Sequence, residues 1–91
     1  MKQYKVDYAT GVRKLLRNMD RPTAARIYRW IDKHLENCEN PRQHGHALTG
    51  PLADYWRYRV GDYRLVAEIH DHIVTIIIVD IGHRSDVYDK H

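Results

Sequence analysis

Residues 55–66 read YWRYRVGDYRLV. Trp56, Tyr58 and Val60 fall on one side of an alternating pattern, with Tyr55, Arg57 and Arg59 on the other. After Gly61-Asp62 the alternation resumes, with Tyr63 and Leu65 against Arg64 and Val66. A period of two predicts strands, and Gly-Asp suits a two-residue hairpin turn. Such a turn sets the register: Val60 faces Tyr63, Arg59 faces Arg64, Tyr58 faces Leu65 and Arg57 faces Val66. One face of the hairpin is then apolar, and the other carries Arg57, Arg59 and Arg64. Like charges directly opposite on a sheet destabilise it. An anion that is not part of the chain is the simplest account of the arrangement, and a nucleic-acid phosphate is the natural one.

The rest of the chain supplies layers for this hairpin. QYKVDY (3–8) alternates as a half-buried strand, with Tyr4, Val6 and Tyr8 inward. From Ala9 the spacing becomes helical, and Val12, Leu15, Leu16 and Met19 form its apolar stripe. Asp20 is a good N-cap for a second helix with Pro22 in its first turn, and Ala24, Ile27, Ile31 and Leu35 make that helix's stripe. Residues 36–54, punctuated by Pro41, Gly45, Gly50 and Pro51, read as a loop. After the hairpin, HD at 70–71 turns the chain, IVTIIIVDI (73–81) reads as a central strand apolar on both faces, and Gly82 ends it. The expected fold is α+β, in the order β-α-α-β-β-β: a small antiparallel-rich sheet with a helical hairpin on one face, one domain over residues 1–91.

Composition narrows the function. The formal net charge is +3, and arginine dominates the basic residues, 10 of 15. Arginine favours bidentate recognition of phosphate or carboxylate. The single cysteine, Cys38, excludes an intrachain disulfide and reads as an inert thiol in a reducing compartment. The first residues, MKQYKVDY, hold no apolar run of signal-peptide type, and IVTIIIV is too short to span a bilayer, so the expected setting is cytoplasmic, with no membrane partner. The HGH (His44, His46) and HDH (His70, His72) pairs resemble chelators but lack a third and fourth ligand; they read as polar turn residues, and no metal is expected. His83 adjoins Arg84, and an imidazole there suits proton transfer at neutral pH. Tyr88, in the tail beside the arginines, suits stacking on a base or proton transfer as a phenolate.

LTGPLADYWRYRVGDYRLV (48–66), together with IVDIGHRSDVY (78–88) and YKVDYATGVRKLLRNMDRPTAARIYRWID (4–32), resembles the RelE side of the RelE/ParE superfamily, toxins of bacterial toxin–antitoxin pairs. The resemblance covers nearly the whole chain. It implies a microbial-ribonuclease-like fold and metal-independent, cofactor-free cleavage of mRNA in the ribosomal A site. It also implies a RelB-like antitoxin with which the toxin forms a hetero-oligomer. The family's basic strand positions fall on Arg57 and Arg59, its next arginine on Arg64, the arginine after the last strand on Arg84 and its C-terminal tyrosine on Tyr88. Familiar members carry lysines where Arg57 and Arg59 stand, and a family loop lysine falls on Ala47, near His46. Arginine is a poor base because it stays protonated, so the base is open between Tyr88 and His83. ParE-like relatives share the fold and inhibit DNA gyrase without nuclease chemistry.

Overall fold

In the computed structural model, which describes residues 2–52 and 54–83, two helices pack on one face of a five-stranded sheet. The elements are β1 (Lys5–Tyr8), α1 (Thr10–Asn18), α2 (Arg21–His34), β2 (His46–Ala47), β3 (Trp56–Val60), β4 (Tyr63–His70) and β5 (Thr75–His83), with a 3₁₀ turn at Gly50–Leu52. The sheet order is β1-β5-β4-β3-β2. Pairing is antiparallel throughout, except that β1 runs parallel to β5. The expected α+β fold and element order hold, with β2 added.

The hairpin has the expected register: Val60 faces Tyr63, Arg59 faces Arg64, Tyr58 faces Leu65 and Arg57 faces Val66. Its apolar side meets the helices. Tyr58, Leu65, Ala67, Ile76 and Ile78 are buried against Val12, Leu16, Ile27, Ile31 and Leu35. Each such aliphatic side chain contributes roughly 1.5–3 kcal/mol by leaving water. Asp20 caps α2 as expected, its Oδ2 accepting from the backbone N–H (3.1 Å) and hydroxyl (2.9 Å) of Thr23. Those bonds favour the charged carboxylate and hold its pKa below the ordinary value.

Three details depart from the pattern read in the sequence. Leu15 is 41% exposed. Val12 and Leu16 sit four apart and centre the buried stripe of α1, and Leu15 lies on its flank, about 60° around the helix from Val12. Second, β5 starts later and ends later than expected. Ile73 and Val74 belong to the turn, Ile73 being 64% exposed and Val74 having φ +52°, and the strand continues through Gly82 to His83. Third, β5 carries a bulge. Val66 faces Asp80 but Ala67 faces Ile78, so Val79 is extra. The extra residue switches the alternation and turns Ile76, Ile78 and Ile81 all toward the helices. The long apolar run therefore reflects a change of phase as well as burial.

No helix of the described residues is long and apolar enough to cross a membrane.

Candidate nucleic-acid interface

The face of β3 and β4 turned from the helices carries Arg57, Arg59 and Arg64. Directly opposed antiparallel residues share a face, so Arg59 and Arg64 stand side by side. Gly82 lies opposite Arg64 on β5 and, having no side chain, leaves room beside it. Glu68, on the same face, sits 2.8 Å from His70 Nε2.

A groove of about 700 Å³ lies along this surface. The three arginines form one side of it, and residues 43–46 with Trp30 form the other. The loop is held by the strand it borders. Trp56 Nε1 donates to the His44 carbonyl (2.6 Å), and the buried Tyr58 hydroxyl donates to the Pro41 carbonyl (2.6 Å). Gly45 adopts φ +83°, and a Cβ there would lie 2.0 Å from the Arg57 carbonyl oxygen. Only glycine meets both demands. Beyond that turn the chain pairs with β3 as β2, setting His46 opposite Arg57 and Ala47 opposite Trp56.

Aromatic rings support the loop from the helix side. Trp30 lies 5.7 Å from Tyr58 and 4.8 Å from His34, centroid to centroid. His34 in turn meets His44 edge-on at 4.8 Å. Burial, with lesser contributions from His44 and Lys33, pushes the His34 imidazole below its ordinary pKa. At the loop's other end Asp71 accepts two bonds from the Arg42 guanidinium (both 3.1 Å) and one from the Tyr4 hydroxyl (2.7 Å). These bonds lower its pKa to about 2.

Of the residues singled out in the sequence, Arg57, Arg59 and Arg64 come together. His83 faces Tyr63 across the strands, with its ring edge-on to the tyrosine at 5.5 Å. That places it on the helix-side face, away from the arginines. Arg84 and Tyr88 lie outside the described residues. Residues 43–45 form the loop expected from the sequence, but His46 enters a short strand and the segment walls the groove. The signal present is Gly45 between two histidines, four residues after Pro41, but a two-residue strand has no periodicity to detect.

A family model describing the ParE toxin of the type II toxin–antitoxin system parDE matches residues 6–88. The chain belongs to the RelE/ParE toxin superfamily. It is similar to toxin RelG of Mycobacterium tuberculosis, at 29% identity over 87 residues, covering 96% of this chain and 98% of that one. Among solved structures, it resembles the toxin–antitoxin complex RelBE2 of the same organism at 30% identity and TM-score 0.78, covering 94% of this chain and 97% of that one. The RelE–RelB complex of Pyrococcus horikoshii follows at 26% identity and TM-score 0.70, covering 92% and 98%. The free E. coli RelE toxin, as a mutant, shares the fold at 20% identity and TM-score 0.74, covering 96% and 88%. This RelE/ParE-superfamily chain is thus the toxin of a type II pair.

Proposed function

We propose that this toxin is a ribosome-dependent mRNA endoribonuclease, acting in the A site and thereby inhibiting translation. The observation that carries the reading is the apposition of Arg59 and Arg64, with Arg57, along a groove on the sheet face turned from the helices. RNA brings its own nucleophile, the ribose 2′-hydroxyl. The protein must hold that oxygen in line with the neighbouring phosphorus, stabilise growing negative charge and move protons. Arg57 and Arg59 bind the phosphates, and Arg64 stabilises charge on the phosphorane. Arg84 acts on the transition state or the leaving 5′-oxygen, and Tyr88 orients the nucleotide or accepts a proton. The products are a 2′,3′-cyclic phosphate and a 5′-hydroxyl. The nucleophile is intramolecular and guanidinium supplies the positive charge, so the reaction needs no metal.

The chemistry runs free only when the toxin is released from its partner. Relatives of this chain were solved as RelBE2 and RelE–RelB complexes. By that likeness its partner is a RelB-like antitoxin, an acidic segment of which would complement the arginine face.

Cleavage of mRNA programmed on purified ribosomes tests the reading, with DNA gyrase supercoiling measured alongside. Cleavage in the A site without gyrase inhibition is expected. Gyrase inhibition without cleavage would instead favour a ParE-like activity; the family model that matches is that of a ParE toxin.

A further inference from the structure

We propose that His46 is the general base of the cleavage reaction, taking the proton from the ribose 2′-hydroxyl as that oxygen attacks phosphorus. This rests on the nuclease reading above and concerns the same groove. Among the described residues that line it, His44 and His46 alone carry an imidazole, a ring nitrogen of which can accept a proton; the rest are three arginines, a glutamine, a glycine and a tryptophan. Guanidinium stays protonated and cannot serve.

The two histidines are not equivalent. His44 is half-buried, its ring against His34 and 6.1 Å from Trp30, and its carbonyl takes the Trp56 bond. It holds the wall in place. His46 follows the Gly45 turn into β2, is exposed, and stands directly opposite Arg57 on the arginine face. Side chains so paired lie with Cβ atoms roughly 4.5–5.5 Å apart. A phosphate on Arg57 therefore has its adjoining ribose within reach of an imidazole. The charged and titratable groups facing His46 are Arg57 on β3, Arg59 beyond it, Arg64 on β4 and His44 on the loop, with His34 of α2 behind His44.

The step balances. The 2′-oxygen gives its proton to the His46 ring nitrogen and forms a bond to phosphorus. The bond from phosphorus to the 5′-oxygen breaks, and its electron pair leaves with that oxygen, which takes a proton from water. Imidazolium then returns its proton to solvent.

The test is single-turnover cleavage of ribosome-bound mRNA from pH 5 to 9, comparing wild type with His46→Gln, both checked for unchanged thermal melting. The expected result is a loss of about 10²- to 10⁴-fold in rate, a vanished acid limb in the pH profile, and ribosome affinity within about twofold. His46→Gln cleaving within about threefold of an active wild type overturns the assignment and leaves the nuclease reading standing. An equal loss of affinity and rate overturns it too, making His46 a binding residue. Rescue of the variant by a substrate with sulfur in place of the leaving 5′-oxygen also overturns it, since the histidine would then be the acid. A wild type that cleaves no mRNA on ribosomes fails the nuclease reading itself and this inference with it.

Discussion

At the scale of single residues, two bare facts meet at Arg59 and Arg64: both are cations, and the register sets them face to face. Their mutual repulsion opposes folding, so truncating the exposed Arg59 should leave stability unchanged or slightly raised, within about 0.5 kcal/mol of wild type. Arg64→Ala should nevertheless slow single-turnover cleavage by about 10²- to 10³-fold, the usual effect of removing one contact to developing charge. Parallel denaturant titration and cleavage kinetics check this; a stability loss above about 2 kcal/mol would make the pair structural. Tyr88 is tested by what its ring and hydroxyl do separately. With His46 as base, Tyr88→Phe should retain near-normal cleavage and Tyr88→Ala should not; a dead Phe variant would hand the proton to the phenol. Asp71 supplies a pH dependence. Hydrogen bonds from Arg42 first, and then Tyr4, depress its pKa to about 2. A depressed carboxyl stabilises the fold fully above its unfolded value near 4, and that contribution fades as pH falls from about 4 to about 2. Asp71→Asn should flatten the curve of urea midpoint against pH across that window, and an unchanged slope would show that the three groups do not hold the loop in solution.

Among the elements, the hairpin was legible because every determinant of it is local. A two-residue turn at Gly61-Asp62 sets the register, and five residues on either side alternate cleanly. The second helix was legible for the same reason: cap, proline and stripe are all within its own span. What the sequence did not disclose depends on distant partners. The parallel pairing of β1 with β5 joins residues 5–8 to residues 75–78, and no local pattern encodes it. The bulge at Val79 hides inside an apolar run in which either phase looks buried. The groove wall is not legible because β2 is two exposed residues, and the loop leading into it is held at His44 and Pro41 by bonds from Trp56 and Tyr58, side chains that read simply as core. So the arginine half of the site could be read, and the histidine half could not. Gly45 gives the wall its own test. Gly45→Ala demands an L-residue at φ +83° with its Cβ against the Arg57 carbonyl. The strained backbone alone costs about 1–3 kcal/mol, and β2 must also move. The contrast is Gly61→Ala, where φ is +60° but the nearest atom, on Arg26, is 3.4 Å away. Thermal melting should show the Gly45 change to be clearly the larger, and cleavage should fall further than stability as His46 loses its place.

For the molecule as a whole, the fold divides its labour by face. Helices bury one side of the sheet, and the opposite side gathers cations from two adjacent strands while the chain's formal net charge is only +3. The helices carry exposed cations of their own, Arg13, Lys14, Arg17, Arg21, Arg26, Arg29 and Lys33, so the attraction a polyanion feels at a distance comes from both faces, and only the contacts made on docking belong to the groove. Each cation that neutralises a phosphate releases condensed counterions, so the logarithm of affinity falls linearly with the logarithm of salt concentration, by about 0.7 per contact for a single strand. Ribosome binding by the wild-type toxin should thus weaken steeply between low and high salt. Arg57→Gln and Arg59→Gln should each lower the slope by about 0.7, nearly additively if each touches its own phosphate. Arg26→Gln is a useful companion. Its guanidinium lies near Gly61, at the hairpin end of the helix side, and a change there should leave the slope alone. Binding isotherms at four salt concentrations decide the matter. If the Arg57 and Arg59 variants keep the wild-type slope while losing affinity, those side chains act by something other than phosphate neutralisation. The open face would then be reading bases or protein, not backbone charge.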